Sequence, residues 1–191
     1  MAELRSIGID GAWIYQAQVH RDPRGHFVEW FKQDLIRREL GREFPIIQAN
    51  ISDSKRGVVR GIHFSISKEG QAKWITCASG SLYDVVIDLR PNSKTFKKWV
   101  GVEISAGSGT SILISEGLGH AFLSLEDDTT ISYLLTSPYS PSEELAINPQ
   151  DPEIGIIWPL NSLQFSKKDH EAPFLKDLVE TLKKSPHSGL D

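Results

Sequence analysis

Short apolar runs with a period of two dominate the chain. In SLYDVVIDL, residues 82, 84, 86 and 88 would lie on one face of a strand and residues 83, 85, 87 and 89 on the other. Nine further runs rich in β-branched and aromatic residues are WIYQAQV, HFVEWF, IIQANIS, VVRGIHF, AKWITCA, KWVGVEI, TSILIS, HAFLSL and TTISYLLT. Turn-forming clusters such as RDPRG, RPNSK, SAGSG and SEGLG separate the runs, as in antiparallel hairpins. The pattern predicts a mainly β sandwich or barrel.

Two segments have a helical pattern. The first, KQDLIRREL at 32–40, is short and is expected to connect strands. The second, APFLKDLVETLKKS at 172–185, begins with a proline and ends with two lysines suited to a helix C-terminus. Its predicted apolar face comprises Phe174, Leu175, Leu178, Val179 and Leu182. We expect this helix to pack against the barrel.

Length and composition predict one compact soluble domain over residues 1–191, since 39% of the 191 residues are hydrophobic. The chain carries 21 basic and 25 acidic side chains, a formal net charge of -4, without blocks of like charge. Nucleic acid is therefore not expected as a partner. The sequence shows neither a signal-peptide pattern nor an apolar run of membrane-spanning length, so we expect no membrane partner and a cytoplasmic location. Cys77 is expected to pack as a small hydrophobe.

Several polar residues lie inside predicted strands and need an explanation. His63 could pack in the core, bind a metal or move a proton, and Gly61 would let a backbone or a ligand approach closely. Lys73 would be costly inside a strand unless it meets an anion or lies at a solvated edge. Tyr133 could fill core with its hydroxyl at the rim.

A metal site is disfavoured. Metal-binding cupin barrels carry a His-x-His pair, and here the position after His63 and Phe64 is Ser65. With His120 the chain offers only two imidazoles, fewer than the three protein ligands of a usual catalytic zinc site, although Asp84 could complete a set.

Six motifs occur along the chain in this order: DPRGHFVEWF, QANIS, GVVRGIHF, QAKWITCASGSLYDVVIDLR, SEGLGHAFLSLED and DPEIGIIWP. In order and spacing they resemble the dTDP-4-dehydrorhamnose 3,5-epimerase family over nearly the whole chain. The resemblance implies a cupin-like jelly-roll β-barrel with a few short helices, and a homodimer that exchanges strands. It also implies an enzyme without a cofactor that inverts one or both carbons flanking the ketone of dTDP-4-keto-6-deoxyglucose, or of a related dTDP-4-keto-6-deoxyhexose.

The resemblance assigns four catalytic residues. His63 is the base that removes a proton next to the ketone, and Asp169 fixes the tautomer of its imidazole. Without the family, Asp169 is most simply a polar turn or pre-helix residue. Lys73 matches the cation that stabilises the enolate, and Tyr133 matches the acid that returns a proton to the opposite face.

The resemblance also assigns binding residues. Arg24, Arg60 and His120 match positions that bind the diphosphate or the sugar, and arginine suits such anions. Tyr139 matches the ring that stacks on thymine. The remaining matched positions are Phe27, Glu29, Gln48, Asn50, Asp84, Glu144 and Lys168.

Departures from the family's commonest pattern bear on regiochemistry. IHFS stands where LHYQ is frequent. The stretch SYLLTSPYSPSEELAINPQ contains Tyr133 and Tyr139 but lacks a further tyrosine, an arginine and a tryptophan that many members carry around it. These features resemble members from antibiotic deoxysugar pathways, some of which invert only C3 or only C5. The alternatives are a mono-epimerase acting at C3 or C5, a dTDP-sugar 3,4-ketoisomerase, and a silent sugar-nucleotide binding module.

Overall fold

The computed structural model describes residues 2–189. Within that range lie thirteen strands: β1 Glu3–Ser6, β2 Ala12–Gln16, β3 Val19–Asp22, β4 Gly25–Val28, β5 Gln48–Ser54, β6 Val59–Ser65, β7 Lys73–Ser79, β8 Ser81–Asp88, β9 Trp99–Ser105, β10 Thr110–Ile114, β11 Leu118–Ser124, β12 Thr129–Leu135 and β13 Glu144–Ala146. The helices are α1 Gln33–Leu40, α2 Lys167–His170 and α3 Leu175–Lys184. No helix in the described part of the chain combines the length and apolarity needed to cross a membrane.

The strands form two antiparallel sheets and a separate hairpin. One sheet has six strands in the order β1-β2-β10-β7-β12-β5, and the other has five in the order β13-β6-β11-β8-β9. Within the described residues, β3 pairs only with β4. Most neighbours in each sheet are distant in sequence, as in a jelly roll, where the chain crosses repeatedly between two facing sheets. The predicted mainly β, jelly-roll class is confirmed.

The inward faces of the two sheets share an apolar core. Leu82 and Val86 of β8 pack there with Ile75 of β7 and Ile112 of β10, whereas Val85 lies on the opposite face of β8. The alternation predicted for residues 81–89 is therefore confirmed. Asp84, on the inward face, is completely buried.

The helices cover the outward faces of the sheets. Leu175 and Leu182 of α3 pack behind the five-stranded sheet, while α1 contributes Leu35 and Ile36 to a cluster behind the six-stranded sheet. Both predicted helices are present. The second begins two residues after Pro173, and Phe174 is its N-cap and remains 37% exposed, so the prediction that Phe174 belongs to the packed face was wrong.

Each of the ten predicted strand segments contains a strand. The segment at 13–19 divides between β2 and β3, which are separated by residues 17–18. The Ala17 N–H donates to the carbonyl of Gly109. The short elements β1, β13 and α2 were not predicted.

Candidate active site

A cavity of about 510 Å³ opens on the inward side of the barrel. Strands from both sheets contribute to its wall: β5, β7 and β12 from the six-stranded sheet, and β6 and β13 from the five-stranded sheet. Seven of the sequence-predicted site residues line it, namely Gln48, Asn50, His63, Lys73, Tyr133, Tyr139 and Glu144.

His63 and Asp169 meet at the wall of this cavity. His63 Nε2 lies 2.7 Å from Asp169 Oδ1. An ionised carboxylate only accepts hydrogen bonds, so Nε2 carries the hydrogen and Nδ1 keeps its lone pair. Nδ1 has no hydrogen-bond partner within residues 2–189. The His63 side chain is 37% exposed and that of Asp169 only 5%, so a buried carboxylate orients an imidazole that a ligand can reach.

A helix cap positions the carboxylate of Asp169. Ser166 is the N-cap of α2, and its hydroxyl accepts the Asp169 backbone N–H at 3.0 Å. Burial alone would raise the pKa of Asp169, but hydrogen bonding and charge interaction with His63, and then hydrogen bonds from Ser166 and the Gly61 backbone, bring the pKa below its usual value. Asp169 is therefore ionised at neutral pH.

Lys73 is buried on the inward face of β7. It is 7% exposed, and its ammonium group forms no ion pair or hydrogen bond with the described residues. Burial lowers the pKa of Lys73, and the nearby charges of Glu144 and Asp84 partly oppose that shift. The solvated-edge alternative was wrong: β7 is a central strand between β10 and β12. A buried cation facing a cavity suits an anionic ligand atom.

Tyr133 lies on β12, directly opposite Ile75 of β7 and Asn50 of β5. Residues directly opposite each other share a face of a sheet, so Tyr133 and Asn50 both face the barrel interior. The Tyr133 ring packs against the inner apolar core at the edge of the cavity. Its hydroxyl has no partner among residues 2–189.

A second histidine–aspartate pair lies beside the first. His120 of β11 is directly opposite His63 of β6, and His120 Nε2 lies 2.8 Å from Asp84 Oδ2. Asp84 Oδ1 is buried and has no partner in the described part of the chain. The contact with Asp84 fixes the direction of the His120 imidazole.

Gly61 marks a close approach of two backbones. A Cβ at this position would lie 2.6 Å from the Ala121 Cβ and the His120 carbonyl oxygen, and φ is +120°. Of the two explanations offered for this glycine, the approach of a backbone is therefore the one observed. The β6–β11 register shifts at this point, so Arg60 and His63 both lie opposite inward-facing residues.

Arg60 links the two sheets beside the cavity. Its guanidinium donates to Ser54 Oγ at 3.1 Å and to the Asp53 carbonyl at 2.9 Å, both on β5 of the other sheet. The rest of the side chain is exposed. This arrangement fixes the direction of the arginine while leaving it available to an anion.

Gln48 organises the outer rim of the cavity. Its amide nitrogen donates to Asn50 Oδ1 at 2.9 Å, and its amide oxygen accepts the Tyr139 backbone N–H at 3.1 Å. The Tyr139 ring is 54% exposed and can stack on a flat ligand group.

Four sequence-predicted residues lie away from this cavity. Arg24 and Phe27 are on the β3–β4 hairpin, where Arg24 pairs with Asp22 and Phe27 is 64% exposed. Glu29 pairs with Lys32 in a separate groove beside α1. Lys168 is exposed on α2. Within one chain these residues do not join the site.

Sequence reasoning missed two polar residues. Gln71 lines the cavity, two positions before Lys73, and Ser166 positions Asp169. Gln71 and Lys73 have the period-two spacing of residues on one strand face, which could have identified Gln71.

No cluster of three metal-ligating side chains occurs among residues 2–189. Cys77 is buried in the inner core, and burial raises the pKa of its thiol to about 11. It therefore packs as a small apolar residue, as expected from the sequence.

Comparisons with known proteins agree with this architecture. The sequence profile described as dTDP-4-dehydrorhamnose 3,5-epimerase matches residues 6–177. A dTDP-4-dehydrorhamnose 3,5-epimerase from Mycolicibacterium smegmatis is 44% identical over 174 residues, covering 91% of this chain and 86% of the relative.

Two solved structures are similar throughout. The 4-keto-6-deoxy sugar epimerase of the novobiocin biosynthetic gene cluster of Streptomyces spheroides is 39% identical, with a TM-score of 0.93 and coverage of 96% of this chain and 92% of that one. A 3'-monoepimerase from Streptomyces bikiniensis, in complex with dTDP-quinovose, is 40% identical, with a TM-score of 0.90 and coverage of 94% and 91%. The resemblance inferred from the motifs is confirmed. The chain belongs to the dTDP-4-dehydrorhamnose 3,5-epimerase family of isomerases.

Proposed function

We propose that this protein epimerises dTDP-4-keto-6-deoxyglucose, or a close dTDP-4-keto-deoxysugar, at C3, C5 or both, without a cofactor. The observation that carries the proposal is the contact of 2.7 Å between His63 Nε2 and Asp169 Oδ1, beside a cavity that also holds Lys73 and Tyr133. A similar structure of 40% identity was solved with dTDP-quinovose.

The first step is removal of a proton next to the ketone. His63 Nδ1 takes the proton from the carbon, and the electron pair of the C–H bond moves into the enolate. The keto oxygen then carries negative charge, which the buried ammonium of Lys73 stabilises. Asp169 stabilises the imidazolium that His63 becomes.

Inversion requires that a proton return on the other face of the sugar. Tyr133, on β12 of the opposite sheet from His63 on β6, donates its phenolic proton to that carbon. The enolate collapses to the ketone, and the tyrosine and histidine exchange protons with solvent before the next cycle.

The nucleotide is proposed to extend outward from the cavity. Arg60 and His120 bind the diphosphate or the sugar, and Tyr139 stacks on thymine at the rim. The sugar is proposed to contact three further residues of the cavity wall, Gln48, Asn50 and Glu144. Asp84 supports this part of the site through its contact with His120.

We further propose a homodimer in which the exposed β3–β4 hairpin reaches the cavity of the second copy. This would bring Arg24, Phe27 and Glu29 to a bound nucleotide, and its support is that these residues have no such role within one chain. Lys168, on the exposed side of α2, is likewise proposed to contact substrate. We also propose that residues 1–191 form one domain that works in the cytoplasm, without nucleic-acid or membrane partners; the family match over residues 6–177 supports the single domain.

The decisive experiment is incubation with dTDP-4-keto-6-deoxyglucose in deuterated water. Deuterium should enter at C3, C5 or both, and NMR of the product assigns the carbon. His63→Ala should abolish exchange while leaving the affinity for dTDP nearly unchanged, because base and thymine pocket are separate. Exchange by wild type no faster than by His63→Ala would refute the proposal for this substrate.

Tyr133→Phe tests the proposed acid role of Tyr133 independently of proton removal by His63. The enolate should still form, so loss of the substrate's own hydrogen should continue while net epimerisation stops. Equal loss of both would argue against an acid role for Tyr133.

Action at a single carbon is the second candidate. It is favoured by the 40% identity to a 3'-monoepimerase. Deuterium at C3 alone or at C5 alone identifies it, whereas a product with its ketone at C3 would indicate a 3,4-ketoisomerase.

A further inference from the structure

Gln71 is a buried side-chain amide that faces the cavity and has no hydrogen-bond partner in the part of the chain that the structure describes. It is 7% exposed and lines the cavity, and its side chain makes no hydrogen bond with any residue from 2 to 189. A buried polar group left unpaired destabilises the fold. Such a group is stable in a cavity wall when a ligand or solvent supplies its missing partner.

The sheet register fixes the direction of Gln71. Lys73 of β7 is directly opposite Leu135 of β12, and the ladder continues past both strand ends: Thr136 N–H donates to the Ala72 carbonyl, and Ala72 N–H to Thr136 Oγ1. Gln71 therefore lies on the same inward face as Lys73, with their Cα atoms about 7 Å apart.

The hydrogen-bonding capacity of the Gln71 amide indicates which group of a ligand it would bind. A primary amide offers both donors and an acceptor, which matches a hydroxyl group. A keto or phosphate oxygen only accepts, and Lys73 and Arg60 already supply cations for such atoms. A long side chain two positions from Lys73 on the same face can reach the atoms next to the keto group that Lys73 binds.

We propose that Gln71 is a specificity-determining residue that binds the C3 hydroxyl of the sugar, the hydroxyl on the carbon next to the ketone. The enzyme would then select 4-keto-hexoses that retain this hydroxyl over their 3-deoxy analogues. The inference rests on the proposed function, because it assumes that Lys73 binds the C4 oxygen.

The test compares wild type with Gln71→Met, which keeps the length of the side chain and removes its hydrogen bonds. Deuterium incorporation is followed with dTDP-4-keto-6-deoxyglucose and with its 3-deoxy analogue. Wild type should prefer the hydroxylated substrate about ten- to a hundredfold in kcat/KM. Gln71→Met should lose most of the kcat/KM for the hydroxylated substrate and little of that for the 3-deoxy analogue. The ratio of the two values should therefore fall close to one.

Ser137→Ala is the matched control. Continuation of the ladder places Ser137 opposite Gln71, and its buried hydroxyl also has no partner in the described part of the chain. Unlike Gln71, Ser137 is not one of the residues that line the cavity. This variant should keep the substrate preference of wild type. Thermal unfolding of all three proteins checks that Gln71→Met is folded.

Two failures are distinguishable. If wild type exchanges deuterium but Gln71→Met keeps the same preference, or slows equally on both substrates, the role of Gln71 is overturned and the epimerase proposal stands. If wild type exchanges neither substrate, the proposed function fails and this inference fails with it.

Discussion

The contact between His63 and Asp169 joins residues 106 positions apart. Its proposed effect depends on the negative charge of Asp169, which would stabilise a positively charged imidazole. Asp169→Asn keeps the shape of the side chain but no longer stabilises a charged imidazole. We expect kcat for solvent exchange to fall about 10²- to 10⁴-fold, with little change in KM. Asp177→Asn, an exposed acid on α3, should leave kcat unchanged. A loss in KM alone would mean that Asp169 contributes to binding instead.

The substitution Asp169→Asn should also change how the free energy of unfolding depends on pH. The pKa of Asp169 is lower in the folded chain than its ordinary value, so its ionised form stabilises the fold above about pH 4, and that stabilisation is lost as the pH falls through the folded-state pKa. Asp169→Asn should therefore be less stable than wild type at pH 7, and the difference should shrink toward pH 3. Urea unfolding across this range measures it. A pH-independent difference would show that packing, not charge, is responsible.

The charge of Lys73 has the opposite effect on stability from that of Asp169. Burial lowers its pKa, so the charged lysine destabilises the fold at neutral pH, and this cost decreases as the pH rises toward the unfolded value near 10. Lys73→Met should be more stable than wild type at pH 7, with a smaller advantage at pH 10. It should also lose about 10²- to 10³-fold in exchange rate. If Lys73→Met is less stable than wild type at pH 7, the attraction between the Lys73 ammonium and the carboxylates of Glu144 and Asp84 outweighs the cost of burying the ammonium.

At the scale of elements, alternation and turn residues were sufficient to locate the main strands. Lys73 and Tyr133 were informative because each is a polar residue at an inward position of such a strand. Asp169 was different: α2 has four residues, too few for any apolar period, and its partner lies on β6. Only the family resemblance paired it with His63. Interstrand register is equally non-local, which is why the opposition of His120 and His63 could not be predicted from spacing.

Gly61 offers a test of strand packing with an internal control. Gly61 and Gly25 have similar backbone angles, with φ of +120° and +135°, but a Cβ would collide with β11 at Gly61 and meet nothing within 4 Å at Gly25. Both alanine variants carry backbone strain, and only Gly61→Ala adds a collision with neighbouring backbone. We expect Gly61→Ala to lose at least about 2 kcal/mol more in the free energy of unfolding. Equal losses would show that the close approach relaxes readily.

At the scale of the whole molecule, the β3–β4 hairpin is the unexplained part of one chain. Among residues 2–189 it pairs with no other strand, and its Arg24 forms an ion pair only with the neighbouring Asp22. It also carries the exposed Phe27. If the hairpin completes the site of a second copy, two differently inactivated chains can complement each other. An Arg24→Ala chain keeps its own base, and a His63→Ala chain keeps its own hairpin.

Refolding these two variants together in equal amounts should therefore restore activity that neither has alone. Half of the dimers would be mixed, and each mixed dimer would hold one intact site, so the mixture should reach about a quarter of wild-type activity. The exchange assay measures it, and sedimentation confirms that the species are dimers. If each hairpin served its own chain, every chain in the mixture would lack either the base or the arginine. Activity would then remain at the average of the two separate variants, because no arrangement of the dimer could assemble a complete site.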